Sequence, residues 1–187
     1  MIKRCFDIVF AFILLILLSP ILLLVGILII LTDRRPVLFW SSRVGRDNVM
    51  FLMPKFRSMR INAPVVATHQ LNDPAQWLTP IGSFLRRLSL DELPQLWSIL
   101  KGDMSFVGPR PALFNQQDLI DVRTQRNIHK LRPGLTGWAQ VNGRDEIPLA
   151  LKLAYDEYYL INQSFWLDLK ILWLTIHRVL QSDGVSH

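Results

Sequence analysis

The run Ile8–Leu31 constrains this chain more than any other feature: 24 consecutive residues without a charge, in which only Ser19, Pro20 and Gly26 are not strongly apolar. At about 1.5 Å per residue a straight helix over that run reaches roughly 36 Å, enough to cross the hydrocarbon of a bilayer. A cleaved leader is not expected, because the run is too long and Thr32-Asp33-Arg34-Arg35 offers no small-residue cleavage site. Pro20 complicates a simple span. It removes an amide donor in mid-helix and opposes the carbonyl of Ile16. It also divides the run into halves of 11 residues, Ile8–Leu18 and Ile21–Leu31, each about 16 Å and so one leaflet deep. Ser19 can re-bond a freed carbonyl. Basic pairs flank both ends, Lys3-Arg4 and Arg34-Arg35, and both stay cytoplasmic only if the segment turns back. On these residues alone a kinked span and a re-entrant hairpin both stand.

Beyond residue 35 the chain of 187 residues leaves room for one further domain, 36–187. Val37–Trp40 and Met50–Met53 read as short strands around a turn at Gly45, and residues 62–80, polar and Pro-rich, read as a loop. Apolar spacing predicts helices over Leu78–Leu88, Glu92–Leu100, residues 113–130, Leu149–Tyr159 and Phe165–Leu180. Leu131–Arg144 is Gly-rich and turn-like, with a short strand expected at Ala139-Gln140-Val141. The last helix carries Trp166 and Trp173; it suits either the membrane interface or the core beneath the domain. The fold expected is mainly helical α+β.

Chemistry concentrates in Ser89-Leu90-Asp91-Glu92-Leu93-Pro94-Gln95. Adjacent carboxylates can hold a divalent cation or supply a nucleophile. They are also what an ordinary helix start looks like, with Ser89 as cap and acids in the first turn. Of 21 basic residues 15 are Arg, against a net charge of +6, and Arg suits bidentate phosphate contacts. Cations recur in Lys55-Phe56-Arg57, Leu85-Arg86-Arg87, Gly108-Pro109-Arg110-Pro111 and Arg132-Pro133-Gly134, all but the second directly beside Gly or Pro. Gly lets backbone amides approach an anion, and Pro fixes the loop in advance. A polyphosphate and Mg²⁺ are therefore expected. A nucleic-acid partner is not, since Asp91, Glu92, Asp103, Asp145, Glu146 and Asp156 interleave the cations. The competing reading is a membrane-tethered binding protein that holds anionic lipid or nucleic acid without chemistry. Cys5 is the one cysteine and the four histidines are scattered, so neither disulfides nor zinc are expected.

Three stretches together resemble the bacterial sugar transferase family. They are Ser89–Gln95, Lys101-Gly102-Asp103-Met104-Ser105-Phe106-Val107-Gly108-Pro109-Arg110-Pro111, and Arg132-Pro133-Gly134-Leu135-Thr136-Gly137 followed by Gln140-Val141-Asn142-Gly143-Arg144. More narrowly, the chain is similar to the small monotopic phosphoglycosyl transferases from Lys3-Arg4 to Gly184-Val185-Ser186; larger relatives carry extra N-terminal membrane helices. The resemblance implies transfer of a phospho-sugar from a UDP-sugar to polyprenol phosphate, with undecaprenyl phosphate the expected carrier, UMP released and Mg²⁺ as cofactor. Such a step opens the assembly of lipopolysaccharide, capsule or protein glycan. The sugar expected from the small members is an N-acetylated aminosugar or a deoxy derivative.

The same resemblance assigns roles. It implies Asp91 as the nucleophile, close to Mg²⁺ and forming an aspartyl phospho-sugar, with Glu92 its partner in holding the site or accepting a proton. Arg86, Arg110 and Arg144 stand where the family places arginines near phosphate. Arg57 stands where the small Campylobacter member has Lys, and a phosphate role is expected there too. Asp156 matches an acidic residue that orients an arginine or the metal. Ser19-Pro20 matches the break of a re-entrant helix-break-helix hairpin, residues 1–35. Both ends then lie at the cytoplasmic face of the inner membrane, beside a cytosolic catalytic domain with interfacial amphipathic helices. No oligomeric state is implied.

Overall fold

The computed structural model describes residues 2–66, 73–143 and 147–181. Its architecture is mainly helical α+β, built on one long apolar helix. Helix α1, Ile2–Asp33, is a single element of 32 residues with Pro20 inside it. The gap left by the missing Pro20 amide is filled locally: Ser19 Oγ donates to the Ile16 carbonyl at 2.8 Å, the group that a residue with an amide at position 20 would have satisfied. Among these residues α1 is the one helix long and apolar enough to cross a membrane.

Two short sheets follow. Strands β1 (Leu38–Val44) and β2 (Met50–Phe56) form an antiparallel hairpin in which Leu38 faces Phe56 and Val44 faces Met50. Both strands outrun their expected ends, because cross-strand pairing carries them through Arg43 and Lys55. A 3₁₀ turn, Pro74–Trp77, lies within the expected loop, ahead of α2, Gly82–Arg87. Next come a 3₁₀ helix at Leu90–Gln95 and α3 at Leu96–Lys101. Strand β3 (Ser105–Val107) pairs in parallel with β4 (Gly134–Thr136), and α4 (Gln117–Gln125) lies between them in sequence. The last helices are α5 (Trp138–Gly143), α6 (Leu149–Asn162) and α7 (Phe165–Gln181).

Helix α5 corrects the strand expected at Ala139-Gln140-Val141. Those residues bury Ala139 and Val141, and an alternating pattern of three residues fits one helical turn as well as a strand. The glycines also differ in purpose from the expected anion cradle. A Cβ on Gly108 would collide with the Arg132 carbonyl, and one on Gly137 with the Gly108 carbonyl. The amides of Gly108 and Gly134 already donate to Thr136 O and Pro109 O, both at 2.9 Å. These glycines let two backbone segments cross at contact distance.

Both halves of α1 pack on the domain. Ala11, with Phe6 and Leu14 beside it, joins a core of Met53, Leu96, Ile99, Met104 and Phe106. Val25 and Ile29 join a second cluster with Phe56 and Leu85. Polar bonds fix the two ends. Lys3 Nζ donates to Asp168 Oδ2 at 2.6 Å and to Val107 O at 3.0 Å, and Arg4 reaches the Ile99 and Leu100 carbonyls at 2.6 and 2.9 Å. Buried Asp7 accepts from the Phe106 amide at 3.2 Å. At the far end Arg57 donates to the carbonyls of Asp33 and Arg34 at 2.7 and 2.9 Å, satisfying groups that a helix C-terminus leaves open. The opposite face of α1 stays bare: Phe12, Ile16, Leu17, Leu23, Leu24 and Ile27 are all exposed.

Helix α7 buries one face and exposes the other. Asp168 and Ile171 are buried, while Trp166 (79% exposed), Trp173 and Ile176 project outward. An exposed Trp row on an otherwise core-facing helix suits the headgroup layer of a bilayer.

Candidate active site

The acid pair owes its position to one backbone conformation. Ser89 takes a left-handed geometry, φ 55°, and makes no side-chain cap, so the ordinary capped helix start is not what forms here. The left-handed residue instead breaks the chain after α2 and starts the 3₁₀ helix that carries Asp91 and Glu92. With three residues per turn, side chains three apart eclipse one another. Glu92 and Gln95 therefore share a face.

Strand β2 brings Lys55 against that helix. Lys55 Nζ donates to Glu92 Oε1 at 2.7 Å, and an Arg110 NH2 donates to the same oxygen at 3.1 Å. Asp91 lies alongside, 7% exposed, in the field of Lys55, Arg86 and Arg110. Arg86 is anchored from α2 through Nε to Ser58 Oγ at 3.0 Å.

Burial separates the two carboxyls electrostatically. For Glu92 burial opposes ionisation, yet Lys55 and Arg110, bonded directly to it, overcome that and hold it well below the ordinary carboxylate range. For Asp91 burial dominates and pushes the carboxyl up; the Glu92 charge adds to this, and Lys55, Arg86 and Arg110 pull the other way. The pair thus consists of one fixed anion and one carboxyl whose ionisation depends on its neighbours, a division found where two acids have different tasks. Burial also lowers Arg86, against the pull of Asp91 and Glu92.

Asp156 reaches this cluster through an intermediary. Its Oδ2 accepts from Arg123 Nε at 3.1 Å and NH2 at 2.6 Å, and Arg123 NH1 donates to the Arg110 carbonyl at 2.8 Å. Of the two roles expected, the contacts are those of an acid orienting an arginine. The four residues Glu92, Arg110, Arg123 and Asp156 form one chain of contacts from the site into the domain. Arg57, 5% exposed, is bonded to the end of α1 and pairs with Asp33 at 3.1 Å. Arg144 lies outside the described residues, as do Gly184-Val185-Ser186.

Two contributors were not singled out from sequence. In sequence Lys55 stands only as one member of a basic cluster, and Arg123 as one charge on a polar helix. The available signal for Arg123 was its place four residues after Leu119, on the face that α4 buries.

Among the described residues, no three His, Cys, Asp or Glu side chains gather as a metal cluster. Asp91 offers one carboxylate with Glu92 beside it, which matches a cation that takes one or two protein carboxylates and completes its shell with substrate phosphate and water.

The family described as bacterial sugar transferase matches residues 1–182. The chain is 42% identical over 184 residues to the uncharacterized sugar transferase EpsL of Bacillus subtilis, covering 98% of this chain and 90% of that protein. The UDP-glucose:undecaprenyl-phosphate glucose-1-phosphate transferase of Escherichia coli is 42% identical over 187 residues, 95% of this chain and 40% of that protein. The UDP-N-acetylgalactosamine-undecaprenyl-phosphate N-acetylgalactosaminephosphotransferase of Aeromonas hydrophila is 40% identical over 192 residues, 98% and 44% respectively. The chain spans less than half the length of the latter two. Matched along nearly all of its own length, with Asp91 buried and Glu92 paired to Lys55 and Arg110, the chain belongs to the bacterial sugar transferase family.

Proposed function

We propose that this chain transfers a sugar 1-phosphate from a UDP-sugar to undecaprenyl phosphate, releasing UMP, at the cytoplasmic face of the bacterial inner membrane. The observation that carries this reading is the buried Asp91, its carboxyl pushed up by burial, set among Lys55, Arg86 and Arg110 beside a Glu92 whose charge is already balanced by Lys55 and Arg110. In the first step an Asp91 carboxylate oxygen attacks the β-phosphorus of the UDP-sugar. The bond from that phosphorus to the bridging oxygen breaks, and UMP leaves with the electron pair. In the second, an oxygen of the lipid phosphate attacks the same phosphorus, and the Asp91 carboxylate is restored as the lipid diphosphate-sugar departs. Splitting the reaction this way avoids assembling two large anionic substrates at once.

The cations set the electrostatics. Arg86 and Arg110 offset the repulsion between carboxylate and phosphate, and Lys55 holds Glu92 in place. Mg²⁺ fits at Asp91, and when bound it would neutralise charge on the diphosphate. Relatives are named for glucose, galactose and N-acetylgalactosamine at similar identity. The proposed donor is therefore a UDP-hexose, acetylated or not, and the narrower expectation of an aminosugar gains no preference.

The re-entrant topology belongs to the same proposal. Lys3, Arg4 and Asp7 at one end of α1, and Asp33 and Arg34 at the other, are all bonded to the same domain. A helix that crossed the bilayer would leave one of those ends on the far side. A segment that dips in and returns would keep both, with Asp91 then near lipid-phosphate depth.

The test is UMP release from a panel of UDP-sugars in undecaprenyl phosphate-containing nanodiscs, with β-³²P-labelled donor used to trap the protein in the absence of lipid acceptor. Label retained on wild type and absent from Asp91→Asn is the expected result. Full turnover by Asp91→Asn rejects the scheme.

A further inference from the structure

We propose that Gln95 is a further substrate-contacting residue: its side-chain amide donates a hydrogen bond to a non-bridging oxygen of the phosphoryl group that Asp91 accepts. This rests on the two-step reading above and adds a neutral donor to it. Gln95 closes the 3₁₀ helix that begins with Leu90, and it is 3% exposed. Its Nε2 has no hydrogen-bond partner among the described residues. That is unusual for a buried amide, because an unpaired donor forfeits the bonds it makes in water.

The orphaned group is placed where a partner is expected. Gln95 lines a small cleft with Glu92, Arg110, Arg43, Met53 and Pro111. The geometry of a 3₁₀ helix puts it one turn beyond Glu92 on the same face, a third of a turn round from Asp91. Arg43 and Arg110 border the cleft against the single carboxylate of Glu92, so an oxygen entering it meets a lining of net positive charge. Glu92 does not need the amide, being bonded by Lys55 and Arg110. Were filling space the only requirement, Leu or Met at this position would pack without stranding a donor. A donor held rigid before the substrate arrives costs no reorganisation when charge shifts onto the phosphoryl oxygens.

The experiment compares Gln95→Met, which keeps the bulk and loses the donor, with Gln95→Glu, which keeps the shape and presents an anion. Full-length protein in nanodiscs is assayed for single-turnover labelling with β-³²P UDP-glucose, UDP-galactose and UDP-N-acetylgalactosamine, using whichever donor wild type accepts. Thermal midpoints and an Asp91→Asn control are measured in parallel. Gln95→Met should label at least tenfold more slowly, in the maximal rate more than in the donor concentration required, with its midpoint unchanged or raised. Gln95→Glu should be slower again. Wild-type labelling by Gln95→Met with Asp91→Asn inactive overturns the role of Gln95 alone. Loss of labelling only in proportion to a lowered midpoint in both variants overturns it as well, assigning the residue to packing. Wild-type turnover by Asp91→Asn overturns both this inference and the reading beneath it.

Discussion

Replacing Asp156 with Leu should separate stability from catalysis in a way that tests the whole contact chain behind the site. The Arg123 guanidinium is buried, and Asp156 supplies its counter-charge through bonds of 3.1 and 2.6 Å to a side chain 2% exposed. Removing that acid leaves a buried cation uncompensated, at about 3–5 kcal/mol. For a chain of this length each kcal/mol moves the thermal midpoint by roughly 2–4 °C, so the expected fall is roughly 6–20 °C. Converting Arg123 to Met as well should recover most of it, because apolar pairs often substitute for buried ion pairs without loss. What stays missing is the donor to the Arg110 carbonyl, at about 1–3 kcal/mol if that group is left unsatisfied. Activity should not recover with stability. Arg110 bonds Glu92 from that loop, and a loop that has lost its anchor positions the guanidinium less well. Thermal midpoints in nanodiscs and UMP release from the single and double variants provide the measurement. If Asp156→Leu melts within about 1 °C of wild type, or if the double variant falls by the sum of the two singles, the buried pair does not act as described.

Three other outcomes are expected. In the proposed scheme Asp91 attacks as the carboxylate, so the rate should rise as pH climbs through its raised ionisation range, giving an acid limb above that of an ordinary Asp. Removing the repelling Glu92 charge in Glu92→Gln should move that limb to lower pH. Removing an attractive charge in Lys55→Met should move it to higher pH; a limb shared by all three proteins contradicts the coupling. Cys5 is exposed near the start of α1, so a membrane-impermeant maleimide should label it in inverted inner-membrane vesicles and not from the periplasmic side; the reverse pattern means that α1 spans. Gly137→Ala should lower stability by about 1–3 kcal/mol through collision with the Gly108 carbonyl, read as a shift in chemical-denaturation midpoint, whereas Gly26→Ala, which meets only Val37 at an ordinary 3.7 Å, should leave it almost unchanged.

Local pattern alone determined the apolar helix, its proline, the acid pair, the repeated arginines and the bounds of α6 and α7 to within three residues. Each of these is a statement about neighbours in sequence, where periodicity and charge count are sufficient. The motif resemblance extended that to the family and to the reaction class. Tertiary structure decided which arginine does what. Arg57 sits two residues from Lys55, yet it closes the end of α1 while Lys55 holds Glu92, because the strand ends between them and the two side chains meet different elements. Helical spacing puts Arg123 on the face of Leu119, but its counter-charge exists only once α6 places Asp156 against it. The same limit applies to the glycines: a Gly-rich loop is compatible with an anion cradle or with two backbones crossing, and only the pairing of β3 with β4 separates them. Partners in a buried polar network are supplied by segments tens of residues apart, and that proximity is created by packing the apolar surfaces around them.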